Sequence, residues 1–207
     1  MKNNNDVEIE VKFYVLSLKE IEQKILELGG TLLQERCFES NLRFDTADGR
    51  LRNQRHVLRL RKDKENILTF KGAAEAGKPV SIRQEIEVLV DDFDTARTLL
   101  EGLGFEVVMA YEKYRTTYSL LDTLVVLDEL PYGNFIEIEG PDGSSIQKVA
   151  RNLNLNWKVR VMTSYTYLYE ALKKERLELE DKYLTFAELK GMRFMPDELG
   201  VSPADLP

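Results

Sequence analysis

Residues 7–15 read VEIEVKFYV. Val7, Ile9, Val11, Phe13 and Val15 alternate with Glu8, Glu10, Lys12 and Tyr14, and a period of two belongs to an extended strand whose successive side chains point to opposite faces. One face is therefore apolar and the other charged. The same pattern returns along the chain. Arg59 and Arg61 face away from Leu58 and Leu60 in VLRLRK (57–62), and Lys71 sits beside Phe70 in NILTFKG (66–72). In VSIRQEIEVLV (80–90), Arg83, Glu85 and Glu87 alternate with Ile82, Ile86 and Val88. Lys113 and Arg115 share a face of EKYR (112–115), Asp128 ends a strand, and Glu137 and Glu139 alternate with Ile136 and Ile138.

A plain sheet with a solvated charged face accounts for any one such strand. It fits the set poorly, because the intervening segments are amphipathic helices that need the apolar face for themselves. In SLKEIEQKILELGG, Ser17 stands three residues before Glu20 as in a capping box, Leu18, Ile21, Ile25 and Leu28 hold helical spacing, and Gly29-Gly30 ends the run. Asp91 or Asp92 opens a second helix, DFDTARTLLEGLG, and further helices are predicted over 144–153 and 163–176. Helices laid on the apolar side leave the charged side open or closed upon itself. That side carries almost no Ser, Thr or Gln and holds Arg and Glu in near-equal number. The reading is α+β: a closed eight-stranded antiparallel β-barrel with a charged interior and helices packed outside.

The remaining elements follow in order. A long strand is predicted over 32–44 with turn residues at 45–49, a hairpin turns at 63–65, and a loop spans 72–79. Strands at 105–118, 120–127 and 134–139 follow, the last two joined by a PYGN turn. The order of strand, helix, several strands occurs twice, as two similar halves would. Residues 1–178 form the domain. Residues 179–207 are an appendage of unknown role, with a short helix possible at LTFAELKGM (184–192).

Composition removes several kinds of function. The 207 residues are 43% hydrophobic and 31% charged, enough to bury a core. With 29 Lys and Arg against 36 Asp and Glu, the net charge of −7 leaves no basic excess for general nucleic-acid binding. Cys37 and His56 are the only cysteine and histidine, which excludes an internal disulfide, a Cys/His zinc site and a Ser-His-Asp triad. The N-terminus shows no apolar signal core and no run approaches the roughly 20 apolar residues of a membrane span. A cytoplasmic protein is expected. Gly72–Lys78, GAAEAGK, has Walker A spacing, but Pro79 stands where Ser or Thr would hold magnesium and a strand follows where a helix is required.

The charged faces gather Lys12, Arg59, Arg61, Lys71, Arg83, Lys113 and Arg115 with Glu8, Glu10, Glu85, Glu87, Asp128, Glu137 and Glu139. Burying even a few unpaired would cost several kcal/mol each, against a whole-domain stability of about 5–15 kcal/mol. The interior must be wet, paired or occupied. Converging bases suit a polyanion, with Arg forks matched to phosphate oxygens, and clustered carboxylates suit Mg²⁺ or Mn²⁺.

These motifs together resemble the CYTH superfamily, the triphosphate tunnel metalloenzymes. The likeness rests on Glu8-x-Glu10-x-Lys12, LRLRK, TFKG, RQEIE, EKYR and LDELPYGNFIEIEG, and spans residues 7–172. It implies an eight-stranded tunnel and a family of inorganic, thiamine and RNA triphosphatases and class IV adenylate cyclases. By resemblance, Glu8, Glu10, Glu137 and Glu139 bind metal with Asp128 as a further contributor. Lys12, Arg59, Arg61, Lys71, Arg83, Lys113 and Arg115 contact phosphate, and Glu8, Glu10, Lys12 and Lys71 form the catalytic set. Glu85 and Glu87 are expected partly to orient basic neighbours.

Two departures bear on substrate. In NLRFD (41–45), Arg43 stands where thiamine triphosphatases of the family carry a tyrosine, which points away from thiamine triphosphate. The His-Phe pair that class IV cyclases place before the Glu-x-Glu-x-Lys motif is absent from this N-terminus. The expectation is metal-dependent hydrolysis of a small-molecule triphosphate, tripolyphosphate or a nucleoside triphosphate. Cyclisation of ATP is the second reading, and a non-catalytic polyphosphate sensor the third. His56, Cys37, Trp157 and the Tyr165, Leu168, Leu172 stripe are expected to serve packing.

Overall fold

Hydrogen bonding between the strands runs in a circle. The computed structural model describes residues 7–179 and 182–206. In chain order its elements are β1 (Val7–Val15), α1 (Leu18–Glu27), β2 (Thr31–Thr46), α2 (Arg50–Asn53), β3 (Val57–Lys62), β4 (Asn66–Lys71) and β5 (Ser81–Leu89). There follow α3 (Phe93–Gly102), β6 (Phe105–Leu120), β7 (Thr123–Leu130), β8 (Gly133–Glu139), α4 (Gly143–Asn152), α5 (Tyr165–Glu175) and β9 (Tyr183–Leu184). Strand order is β2-β3-β4-β5-β1-β8-β7-β6, and a β6–β2 pairing completes a ring of eight strands, each antiparallel to its neighbours. The chain is thus α+β, with a large sheet of eight strands in a ring and, among the described residues, five α-helices.

The apolar halves of the alternating strands face outward and are roofed by helices. Val11, Phe13, Val15, Val125, Leu127, Ile136 and Ile138 pack with Ile21 and Ile25 of α1 and Ile146, Val149 and Ala150 of α4. Leu100 of α3 covers Phe44 and Leu60. Each helix begins where a side-chain oxygen takes an otherwise orphaned N–H. Ser17 accepts from Glu20 N at 3.3 Å, Asp92 rather than Asp91 from Thr95 N at 2.7 Å, and Asp142 from Ser144 N and Ser145 N.

Three local expectations are corrected. β2 continues through Asp45 to Thr46, and the residues after it wind into the short helix α2, because the Asp45 carboxylate accepts from the N–H groups of Thr46, Leu51 and Arg52 at 2.8–2.9 Å. The β6–β7 turn centres on Leu121 and Asp122, with Leu121 at φ 55°, so β7 runs from Thr123 to Leu130 instead of from Leu120 to Leu127. The LTFAELKGM segment forms successive turns and not a helix.

The segment expected as an appendage is woven into the same packing. β9 lies parallel to β6 through Ala110↔Tyr183 and Tyr111↔Leu184, while Leu184, Leu189 and Leu199 are buried in one cluster with α5. Ala204 joins the core beneath α1 and α4, and the Asp205 carboxylate accepts from Leu16 N and Ser17 N at 2.9–3.0 Å.

The interior of the ring is not charged from end to end. Tyr14, Phe135 and Met109 share face parity with Lys12, Glu137 and Tyr111, so they point inward, yet they pack with Tyr165, Leu168, Tyr169 and Leu172 of α5. Helix α5 thus seats on inward-facing apolar residues and closes one end of the ring. The preceding segment and the first turn of α5 span that end: Val161 N donates to Lys12 O on β1 (2.7 Å), and Thr166 in α5 bonds Arg43 on β2. Three strands separate β1 from β2 in either direction around the ring, which places them on opposite walls.

Candidate active site

A cavity of about 340 Å³ fills the rest of the interior, at the small end of the roughly 300–1,000 Å³ usual for ligand sites. Its walls carry eight bases, Lys12, Arg43, Arg59, Arg61, Lys71, Arg83, Lys113 and Arg115, and six carboxylates, Glu8, Glu10, Glu85, Glu87, Glu137 and Glu139. Val161 to Thr166 form its closed end. Every predicted site residue except Asp128 lines this one space.

The acids and bases are threaded into a belt. Lys71 Nζ donates to Glu8 at 2.7 Å and pairs with Glu85 at 3.0 Å. Arg83 bridges Glu8 (2.9 Å) and Glu10 (3.0 Å), and Lys12 Nζ pairs with Glu137 at 2.6 Å and lies 3.8 Å from Glu10. Arg115 donates to Glu137 and to both oxygens of Asp128, at 2.7 and 2.6 Å. Lys113 reaches Asp128 at 3.0 Å and lies 3.5 Å from Glu39, outside hydrogen-bond geometry. These are buried pairs, so each cation compensates a charge that could not otherwise leave water.

Titration follows the belt. Burial acts to raise the Glu137 carboxyl, but Lys12, Arg115 and Lys113 overcome it and hold the group well below the carboxylate range. Glu39 behaves alike: burial raises it, and Lys113, Arg115, Arg61 and Arg59 bring it down to about 2. Burial depresses Lys12, and Glu10 and Glu137 more than restore it, so the ammonium is held above its usual value. Burial acts to raise the Tyr111 hydroxyl, but Arg59, Lys113 and Arg43 lower it on balance.

Asp128 lies behind the wall. It is fully buried and accepts from Lys113, from Arg115 twice and from Tyr165 Oη (2.9 Å), so its oxygens are already committed to fixing two cavity cations. Glu85 and Glu87 do touch basic or hydroxyl neighbours: Glu85 meets Lys71, and Glu87 accepts from Thr69 (2.9 Å), which in turn accepts weakly from Arg59 (3.4 Å). The sequence reading missed Glu39, Tyr111 and Thr166. The first was visible, since Glu39, Asn41 and Arg43 alternate with Phe38, Ser40, Leu42 and Phe44. Tyr165, expected to pack, also lines the cavity, with Lys12 Nζ 4.7 Å from its ring centre.

By residue type the lining suits a hard divalent ion. Glu10 and Glu139 are direct partners across β1–β8, with Glu137 opposite Lys12 and Glu8 two residues along the same face. Like charges set opposite each other disfavour the sheet unless something cationic lies between or beside them. Among the described residues no three carboxylates converge on one point, because Lys12, Lys71, Arg83 and Arg115 hold them apart in pairs.

A ring of eight antiparallel strands encloses an interior of interleaved Glu, Lys and Arg. The family model for the CYTH domain matches residues 6–164, and the chain belongs to that family. A putative adenylate cyclase of Methanocaldococcus jannaschii is 26% identical over 188 residues, 90% of this chain and 99% of that protein. The structure of a putative adenylate cyclase from Vibrio parahaemolyticus superposes with a TM-score of 0.70 at 22% identity, covering 80% of this chain and 99% of that one. A putative adenylyl cyclase from Hippeastrum, described as revealing a dominant triphosphatase activity, aligns at TM-score 0.63 and 19% identity over 79% of this chain and 95% of its own. Among the described residues no helix is long and apolar enough to cross a membrane.

Proposed function

We propose that this chain hydrolyses the terminal phosphoanhydride of a small triphosphate with the help of Mg²⁺ or Mn²⁺. The observation that carries the reading is the ion-paired belt: four cavity bases, Lys12, Lys71, Arg83 and Arg115, are held by carboxylates that a polyanion would displace. A triphosphate entering the cavity offers Lys12, Lys71, Arg83 and Arg115 phosphate oxygens in exchange for their present partners. Arg forks match those oxygens in pairs. The exchange releases Glu8, Glu10, Glu137 and Glu139, the four residues that would hold the cation. When bound, that ion supplies Lewis-acid neutralisation of phosphate charge. Glu10, beside Glu139 on the neighbouring strand, orients the attacking water, while Lys12 and Lys71 neutralise charge developing on the leaving phosphate. Asp128 and Tyr165 hold Lys113 and Arg115 in position.

The test is a phosphate-release screen over tripolyphosphate, ATP, GTP and thiamine triphosphate with each metal, run beside Glu10→Gln. Orthophosphate release by the wild type, lost by at least about a hundredfold in the variant, is expected. Equal rates in both would remove the proposal. The name of the Methanocaldococcus relative favours a second reading, in which the same cavity directs the 3′-hydroxyl of ATP at its α-phosphate. Detection of cyclic AMP with stoichiometric pyrophosphate and no orthophosphate would select it.

A further inference from the structure

The cations of the belt are not equally provided for. Lys12, Lys71, Arg83, Lys113 and Arg115 each lie within 3.0 Å of a carboxylate oxygen. Arg43 has none within ion-pairing distance among the described residues; its neighbour Asp45 is committed to backbone N–H groups. Burial pulls the Arg43 guanidinium down; Tyr111 and Asp45 act against it, Arg59 and Arg83 act with it, and on balance the group is lowered. Arg59 is the direct partner of Arg43 across β2–β3, so two guanidinium groups enter the cavity side by side. Its nearest carboxylate, Glu87, is 3.8 Å away, and its Nε is buried without a hydrogen-bond partner.

A third positive element faces the same place. Arg43 Nη1 donates to the Thr166 hydroxyl in the first turn of α5, and Ser164 to Thr166 line the cavity there. A helix N-terminus carries a partial positive charge, so a guanidinium set against it is repelled until an anion joins them. Two arginines and a helix start, Arg43 with no ion-paired carboxylate among the described residues and Arg59 with Glu87 only at 3.8 Å, thus converge where the 161–166 segment closes the ring.

We propose that this closed end is a subsite for a free terminal phosphate, built by Arg43, Arg59 and the first turn of α5, so that the chain takes its substrate end-on. The inference rests on the triphosphatase reading and adds a requirement to it. A terminal phosphate is dianionic near neutral pH and presents three oxygens, which suits two forks and a helix start better than a singly charged internal phosphate does. The rest of the substrate extends toward the open side, whatever it carries. Substrates with a free end, tripolyphosphate and ATP, are accepted. Diadenosine triphosphate, capped at both ends, is excluded.

The test is titration calorimetry of wild type, Arg43→Gln and Arg43→Lys with tripolyphosphate, ATP and diadenosine triphosphate in Mg²⁺, with phosphate release measured on the same samples. Wild type is expected to bind the free-ended ligands at least about tenfold more tightly than the capped one. Arg43→Gln weakens the free-ended ligands by about ten- to a hundredfold, the loss of a charged hydrogen-bond partner, and leaves the capped one unchanged. Arg43→Lys, which keeps the charge but not the fork, falls between and serves alone if the glutamine variant does not fold. Equal wild-type affinity for ATP and diadenosine triphosphate overturns the subsite, as does a uniform loss across all three ligands. Either result with phosphate release intact leaves the hydrolase standing; absence of binding and release by the wild type removes both.

Discussion

Replacing Asp128 by Asn tests whether the belt is a structural necessity as well as a binding surface. The carboxylate is fully buried and takes Lys113 Nζ at 3.0 Å, Arg115 Nε and Nη2 at 2.7 and 2.6 Å, and Tyr165 Oη at 2.9 Å. Asparagine keeps the shape and removes the charge. Breaking one partner of a buried pair costs about 3–5 kcal/mol because the other charge is stranded. Here Glu39 and Glu137 still neighbour the two cations, which sets the expectation at the lower bound, about 3 kcal/mol. For a chain of this length each kcal/mol moves the melting temperature by about 2–4 °C, so Asp128→Asn should melt about 6–12 °C below wild type. Calorimetry at pH 7 measures it, with Glu129→Gln as the control. Glu129 makes an equally short contact to Arg36 (2.7 Å), but both groups are substantially exposed, and loss of the pair should cost below about 1 kcal/mol. A shift for Asp128→Asn as small as that of Glu129→Gln would refute the argument that burial sets the worth of these pairs.

Three further outcomes are expected. Glu39 is depressed from 4.5 to about 2, so its contribution is present above its unfolded value and is lost as pH falls through the folded one. The shift corresponds to about 3 kcal/mol, and urea unfolding from pH 6 to pH 2 should show stability falling below about pH 4.5 with a slope that Glu39→Gln reduces; an unaltered slope would contradict the pairing. Asp205→Ala removes the acceptor of Leu16 N and Ser17 N and should cost about 1 kcal/mol, whereas truncation after Leu179 exposes the seats of Leu184, Leu189 and Leu199, each worth about 1.5–3 kcal/mol, and should leave little folded protein by circular dichroism.

Much of this was legible because a strand writes its two faces at a period of two. The alternation in VEIEVKFYV and its counterparts assigned Glu8, Glu10, Lys12, Arg83, Glu137 and Glu139 to one interior without any knowledge of which strands touch. Pairing was not legible. That Glu10 meets Glu139 across β1–β8 and that Arg43 meets Arg59 across β2–β3 are facts of register, and the closure of β2 on β6 likewise passes through three register shifts. Asp128 has the parity of a cavity residue and was expected at the metal; only the three-dimensional arrangement, with Lys113, Arg115 and Tyr165 filling its acceptor positions, moves it behind the wall.

The least legible feature was the one that gives the cavity a direction. Tyr165, Leu168 and Leu172 have the spacing of a helix packed on any apolar surface, and the outward faces of the strands were the obvious choice. The seat is instead the inward face at one end, where Tyr14, Met109 and Phe135 interrupt the charged parity of their strands with large side chains. Tyr14 follows Lys12 and Phe135 precedes Glu137 on the same faces, so each of those two strands changes from charged to aromatic at the level where the helix enters. That substitution turns a bore into a blind cavity. It also decides the electrostatics: a helix entering N-terminus first brings its positive end to the cavity, beside Arg43, which no carboxylate pairs among the described residues. A ring open at both ends would hold a polyanion in either orientation, whereas a ring closed by a helix start holds it by one end.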